Sequence, residues 1–219
     1  MAHLTISEIA RVLESGHNPQ FSNATVSRLL LDSRQFSSAD GVLFFALRGK
    51  NHDGHGYIHH LAQKGVKHFV VEEIPPQIEG VSFIKVEDSL AALQRLAHFI
   101  REKSNAKIVA ITGSNGKTVV KEWLAQILQK QYSVCRSPKS YNSQIGVPLS
   151  VWELEPHHQV GIFEAGISEP GEMEKLEAML SPEFGIFTNI GSAHEANFDN
   201  RQQKIDEKLK LFTNCKKLV

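Results

Sequence analysis

Cysteine is nearly missing from this sequence: its 219 residues hold only Cys135 and Cys215. Two thiols far apart, in no metal-ligand spacing, fit a cytosolic protein with reduced cysteines and exclude a disulfide scaffold. Net charge is missing as well, with Lys+Arg and Asp+Glu at 24 each. The chain therefore lacks the basic footprint of a protein that grips duplex DNA or an anionic membrane, and any anionic ligand must be held by a local site. No apolar run approaches the roughly 18 residues of a membrane span. The N-terminus reads as a capped helix rather than a signal peptide, with Thr5 and Glu8 in capping-box spacing and Ile6, Ile9, Ala10 and Leu13 at helical spacing. A cytoplasmic location, no membrane insertion and no nucleic-acid partner are the expectations. Repeats and low-complexity segments are absent too. What remains is ordinary globular composition, 41% hydrophobic and 22% charged, enough for one large domain or two smaller ones.

The first half reads as short strands and helices. "VSRLLLDSR" and "GVLFFAL" are β-rich runs separated by a turn-prone "SSADG". A Gly- and His-rich loop, "RGKNHDGHG", leads to a short helix around Ile58 to Lys64. Strands "KHFVVEE" and "VSFIKVE" follow, then a helix that Asp88 caps, with Leu90, Leu93, Leu96 or Ala97, and Ile100 as its apolar stripe. A domain boundary falls after it, near "REKSNAK". The second half alternates strand and helix: "KIVAIT", "TVVKEWLAQILQK", "YSVCRS", "VGIFEAG", "GEMEKLEAML", "FGIFTNI" and a last helix, "RQQKIDEKLKLFTN". Nearly continuous apolar strands alternating with helices call for a parallel, doubly wound α/β sheet.

The most informative stretch is "IVAITGSNGKTVVKEWL". An apolar strand runs into Thr112, Gly113, Ser114, Asn115, Gly116, Lys117 and Thr118, and a helix follows at once. Glycines let backbone N–H groups approach phosphates, and the helix start adds unpaired donors and a positive dipole end. Lys117 supplies a mobile charge for β/γ-phosphates, and the Thr118 hydroxyl suits Mg²⁺. Ile111 stands where the general phosphate loop has its first glycine, so the match is to "TGxxGKT" alone. The alternative is an ordinary strand–turn–helix with a chance lysine. The loop points to a nucleoside triphosphate and does not name the reaction.

Glu164, His194 and Asn142 follow the ends of later strands, where an α/β fold collects its ligand groups. A carboxylate, an imidazole and an amide around one phosphate loop would make a metal and phosphate site. Singly, each also reads as an ordinary loop or surface residue. In "NHDGHGYIHH", His55 and His59 are four apart, as zinc ligands can be, yet the spacing matches no zinc pattern. A polar or solvated loop is the simpler reading there, and Cys135 reads as inert core.

Together "TGSNGKT", "YNSQIGVP", "FEAGISEPGEM" and "TNIGSAH" resemble the Mur ligase family, and the resemblance extends over the whole chain. Upstream, "DSRQFSSADGVLFFALRGKNHDGH" is similar to the family's uridine-diphosphate-binding domain. The resemblance implies an α/β protein in two parts. Residues 1–104 would form a small mixed α/β domain binding a UDP-muramoyl peptide. Residues 105–219 would form the first part of a doubly wound P-loop ATPase domain. Within the family, "E-A-G-x-x-x-x-G-E-M" and "T-N-I-G-x-A-H" resemble the branch that joins D-alanyl-D-alanine to UDP-N-acetylmuramoyl-tripeptide. The branch adding the third residue shows "E-x-S-S-H" instead, and the folate-polyglutamylating relative lacks the upstream leader.

Carried over, the resemblance assigns Lys117 to the γ-phosphate of ATP, Thr118 and Glu164 to one Mg²⁺, His194 to a second Mg²⁺, and Asn142 to the nucleotide–metal site. Lys208, in "EKLKLF", matches a lysine that the family carbamylates; the alternative is a solvated helix lysine beside Lys204 and Lys210. Ser33, Arg34, Arg48, Gly49 and Lys50 would contact the uridine diphosphate. A complete ligase continues with more of the ATPase sheet, adenine contacts and a third domain, so the sequence reads as an N-terminal portion, inactive alone. Its general texture is similar to the variety fused to an alanine racemase. The implied chemistry runs through an acyl phosphate. A different P-loop enzyme (a kinase, another Mur ligase or a folate-type ligase) and a non-catalytic binding module are the rival readings.

Overall fold

The computed structural model describes residues 4–49, 52–76, 78–191 and 197–219. The chain divides into two compact units, Met1–Leu96 and Ala97–Val219.

In the first unit, strand β1 (Leu4–Thr5) leads straight into helix α1 (Ile6–Val12), and β2 (Thr25–Val26) pairs with β1 antiparallel. The capping box forms as the sequence predicts: Glu8 N–H donates to Thr5 Oγ1 at 3.2 Å, and Thr5 N–H donates to Glu8 Oε2 at 2.8 Å. Strands β3 (Arg28–Leu30), β4 (Val42–Phe45), β5 (His68–Val71) and β6 (Ser82–Lys85) form one parallel sheet in that order. The segment containing "SSADG" is thus a crossover between parallel neighbours. Helix α2 (Ile58–Gln63) sends Ile58 and Leu61 into a core with Phe44 and Phe69, whose rings meet edge to face at 6.1 Å. Burying each such side chain contributes about 1.5–3 kcal/mol.

Helix α3 (Ser89–Lys103) begins where Asp88 Oδ1 accepts from the N–H groups of Leu90 and Ala91. It runs across the division between the units. Sequence reasoning set the boundary at the end of this helix, after residue 104; the compact units divide within it.

The second unit alternates β7 (Lys107–Thr112), α4 (Lys117–Leu128), β8 (Val134–Arg136), α5 (Gly146–Trp152), β9 (Val160–Glu164), α6 (Glu172–Leu180), β10 (Phe184–Phe187), α7 (Arg201–Leu209) and β11 (Lys217–Leu218). The five strands form a parallel sheet in the order β11-β10-β7-β9-β8. From β7 the chain passes to β8 and β9 on one side of the sheet, then to β10 and β11 on the other. The loops leaving β7, β9 and β10 therefore open side by side where the winding reverses, the usual place for a ligand in such a sheet. Val109, Ile111, Ala125, Val160 and Ile162 pack between β7, β9 and α4.

Two elements depart from expectation. "SYNSQIGVPLS" reads as turn-rich by composition, yet its second half opens helix α5, in which Gly146, Val147, Pro148, Ser150, Val151 and Trp152 are all buried. Pro148 sits in the first turn, where a missing N–H costs nothing, and burial outweighs the turn-forming composition. Beyond the last helix the chain returns to the sheet as β11, too short to show a strand period.

Candidate nucleotide site

The site begins where β7 runs out. Thr112 is fully buried and its hydroxyl donates to Ala165 O at 2.7 Å, tying β7 to the end of β9. The chain then turns through Gly113 at φ +142°. A Cβ there would lie 2.0 Å from Thr188 Oγ1, so only glycine fits. Gly116, at φ +81°, stands at the N-cap of α4 without any side-chain cap. The first N–H groups of α4 thus lie at the loop mouth with the positive end of the helix dipole, a ready anion site.

Other loop amides are already used. Ser114 N–H donates to Asn189 O at 2.9 Å and Asn115 N–H donates to Asn189 Oδ1 at 3.0 Å. The Thr188 hydroxyl donates to Asn115 O at 2.6 Å. These hydrogen bonds of Thr188 and Asn189, after β10, hold the loop in shape from the neighbouring strand end.

Charged groups converge here. Lys117 Nζ donates to Gly113 O at 2.8 Å. Burial lowers its pKa, while Glu164 acts in the opposite sense. The Thr118 hydroxyl donates to Glu164 Oε2 at 3.0 Å and lies 3.3 Å from Ser140 Oγ. Glu164 is fully buried at the end of β9. Its Oε1 takes no hydrogen bond, although Lys121 Nζ lies 3.0 Å from it. The pair is thus in ion-pair contact without hydrogen-bond alignment. Lys208 Nζ reaches Gly113 O at 3.4 Å. Only 4% of Lys208 is exposed. Burial, then the charges of Lys117 and Lys204, bring its pKa down to about 8. The solvated-lysine alternative is therefore overturned: α7 turns Lys204 and Lys208 inward, and Lys204 Nζ donates to Gly191 O at 2.6 Å.

A cleft of about 200 Å³ opens beside the loop, lined among others by Lys117, Asn142, Gln144, Ser168, Glu172 and Lys208. Asn142 is held there by its carbonyl, which accepts from Gly166 N–H at 2.7 Å. The sheet thus brings Gly113, Ser114, Lys117, Asn142 and Lys208 to one cleft, with Thr118 and Glu164 in contact beside Lys117. His194 and Lys50 lie outside the described residues.

In the first unit, Ser33 and Arg34 occupy a 3-10 turn, Ser33–Gln35, capped by Asp32. Arg34 is exposed and donates to Asp32 through Nη2 at 2.7 Å and Nε at 2.9 Å. Those hydrogen bonds hold the Asp32 carboxyl down at about 2. Arg48 meets Asp53, Glu72 and Glu73 at 3.2, 3.4 and 3.3 Å. Gly49 N–H donates to His52 O at 2.8 Å. Both arginines therefore have carboxylate partners that a diphosphate would have to displace. His55 is not poised for zinc: Asp53 Oδ1 lies 2.6 Å from its Nδ1, and Glu72 N–H donates to its Nε2 at 3.0 Å. No cluster of three His, Cys, Asp or Glu suited to a metal occurs among the described residues.

Sequence reasoning passed over Lys121, Thr188 and Asn189. Lys121 had one legible sign, its position one turn after Lys117 between apolar Val120 and Leu124. Thr188 and Asn189 act through hydrogen bonds to the backbone of a loop remote in sequence, which no spacing rule reveals.

The fold and loop define an α/β domain with a parallel sheet and a glycine loop of the phosphate-loop type. Residues 25–132 match the family described as "Mur ligase family, catalytic domain" and residues 111–218 match "Mur ligase middle domain". The chain belongs to the Mur ligase family. It is 38% identical over 197 residues to the UDP-N-acetylmuramoyl-tripeptide–D-alanyl-D-alanine ligase of Borreliella burgdorferi, covering 85% of this chain and 42% of that protein. To the ligase of the same name from Bacillus subtilis it is 29% identical over 218 residues, covering 99% of this chain and 47% of that one. The crystal structure of MurF from Acinetobacter baumannii superposes with a TM-score of 0.89 at 28% identity, over 98% of this chain and 47% of that one. MurF from Thermotoga maritima, solved in complex with ADP, gives 0.76 at 28% identity over 86% and 43%. The chain spans about half the length of these relatives.

Proposed function

We propose that this chain carries the nucleotide-binding part of a cytoplasmic, ATP- and Mg²⁺-dependent ligase that joins D-alanyl-D-alanine to UDP-N-acetylmuramoyl-tripeptide in peptidoglycan precursor synthesis. The observation that carries the reading is the meeting of Lys117, Thr118 and Glu164 at the mouth of a glycine loop, on a scaffold shared with MurF relatives. Residues 1–104 would supply the UDP-muramoyl-peptide site through Ser33, Arg34, Arg48, Gly49 and Lys50.

The residues fit the group they would hold. Thr118 Oγ1 and Glu164 Oε2, 3.0 Å apart, are hard oxygen donors, which suit Mg²⁺ rather than a soft metal. His194 would contribute to a second Mg²⁺. Bound Mg²⁺ would offset charge on the phosphates of ATP. Lys117, parked on Gly113 O, would turn to the γ-phosphate, while uncapped N–H groups of α4 bind oxygens. Asn142 would orient the nucleotide from across the cleft.

In the reaction, a substrate carboxylate oxygen attacks the γ-phosphorus and the bond to ADP breaks, leaving an acyl phosphate. The D-alanyl-D-alanine amine then attacks the acyl carbon, phosphate departs, and the nitrogen gives up a proton. Orientation of the carboxylate and charge stabilisation by Lys117 are the protein's contributions, and no protein nucleophile is required. Lys208, buried beside Lys117 and without a carboxylate partner among the described residues, would react as the free amine with CO₂. A C–N bond forms, a proton leaves, and the resulting carbamate replaces a cation with an anion.

The test is ADP release by the full-length polypeptide offered different carboxylates. Release with UDP-N-acetylmuramoyl-tripeptide and none with a folate substrate supports the reading, and the reverse order would overturn it.

A further inference from the structure

Lys121 is a lysine with no access to water. It lies on the face of α4 that carries Lys117, one turn further in, and none of it is exposed. Lysine is almost never fully buried unless its charge is matched. Here Nζ donates to Ser137 O at 2.7 Å and to Lys139 O, and stands 3.0 Å from Glu164 Oε1. A second carboxylate, half-exposed Glu122, lies 3.2 Å away on the same helix.

These partners belong to the three segments that bound the candidate metal site. Glu164 ends β9. Residues 137–139 form the turn after β8 and lead directly to Ser140, whose hydroxyl meets Thr118. The Ser137 hydroxyl accepts from Glu164 N–H at 3.2 Å, joining this turn to the strand end as well. One ammonium therefore links α4, β9 and the turn between them from underneath. The two Glu164 oxygens are divided: Oε2 faces the Thr118 hydroxyl, and Oε1 faces Lys121.

We infer that Lys121 is a positioning residue that holds the Glu164 carboxylate and the 137–140 turn in the arrangement that accepts Mg²⁺ with the nucleotide. The inference rests on the Mg-nucleotide reading of this site. On it, the two lysines one turn apart divide the work: Lys117 serves the phosphates in the cleft, and Lys121 serves the metal carboxylate behind it. Groups that orient a metal ligand from outside the coordination sphere change metal affinity by about 10–100-fold when removed.

The test titrates Mg²⁺ against ADP binding by calorimetry, with metal-free ADP binding measured in chelator. It compares the parent chain, Lys121→Met, Glu164→Gln and the double variant. Lys121→Met should raise the half-saturating Mg²⁺ by about tenfold or more and leave metal-free ADP affinity as in the parent. In the Glu164→Gln background the same change should have no further effect, because its target is gone. A folded Lys121→Met chain with parental Mg²⁺ dependence would overturn the inference, as would losses that simply add. Should Lys121→Met fail to fold, Lys121→Gln, which keeps a donor for Ser137 O without the ammonium, is read the same two ways. Parent protein that binds ADP with no response to Mg²⁺ would instead overturn the Mg-nucleotide reading, and the role of Lys121 with it.

Discussion

The Thr118 hydroxyl donates to Glu164 Oε2 across 3.0 Å, joining the first turn of the helix after the glycine loop to the end of a neighbouring strand. Removing that hydroxyl while keeping the branched shape isolates its role. Thr118→Val should weaken Mg²⁺-dependent nucleotide binding by about tenfold or more with little change in thermal stability. Calorimetry with and without Mg²⁺, beside a thermal melt, checks both halves.

The glycine loop leaves no room for a methyl group at its first position. Gly113 has φ +142°, and an added Cβ would sit 2.0 Å from Thr188 Oγ1. Gly113→Ala should lower stability by about 1–3 kcal/mol through backbone strain and weaken nucleotide binding together with it. Denaturant unfolding measures the first effect, and an unchanged midpoint would contradict it.

The chemistry proposed for Lys208 depends on pH. With its pKa lowered to about 8 by burial and by Lys117 and Lys204, the reactive free amine becomes the major form as pH rises through that value. Carbamate should therefore build up with increasing pH at fixed dissolved CO₂. NMR with isotopically labelled bicarbonate should show a carbamate carbonyl signal in the parent chain and none in Lys208→Met.

In the first unit, His68 is buried at the start of β5, edge-on to Phe21, with no hydrogen bond to Nδ1. Burial, then Lys67, lowers its pKa from 6.5, so the fold favours the neutral ring. Above 6.5 both folded and unfolded states hold it neutral and its contribution to stability is complete. As pH falls below 6.5 the unfolded chain takes up the proton first and stability declines toward the lower folded value. His68→Leu should flatten this part of the profile in urea unfolding from pH 7 to 5.

The strand–glycine–helix order around Gly113 and the apolar alternation of the second half were legible because each rests on a local rule: a left-handed turn, a helix start, a strand buried on both faces. The Thr5–Glu8 capping box and the Asp88 cap were legible for the same reason. Helix α5 was not, since Gly146 and Pro148 are breakers by composition and only burial of the whole segment makes them helical. Lys121 escaped because a lysine in a helix reads as solvated until a partner is placed opposite it, and Glu164 is remote in sequence. Asn189 escaped likewise, since its bonds to Ser114 and Asn115 exist only once β10 lies beside β7. The inward turn of Lys204 and Lys208, beside outward-facing Lys210, follows from how α7 packs rather than from its lysine-rich composition.

On the function proposed above, Lys117 and the loop around it bind the phosphates of ATP for amide formation. The most direct measurement follows ADP and amide product together in the full-length polypeptide with UDP-N-acetylmuramoyl-tripeptide, with and without D-alanyl-D-alanine, for parent and Lys117→Ala. Equal amounts of ADP and amide are expected in the parent, with amide only when D-alanyl-D-alanine is present, and a turnover about 100-fold to 1,000-fold lower or worse in the variant. Amide formation by Lys117→Ala at the parental rate would contradict it.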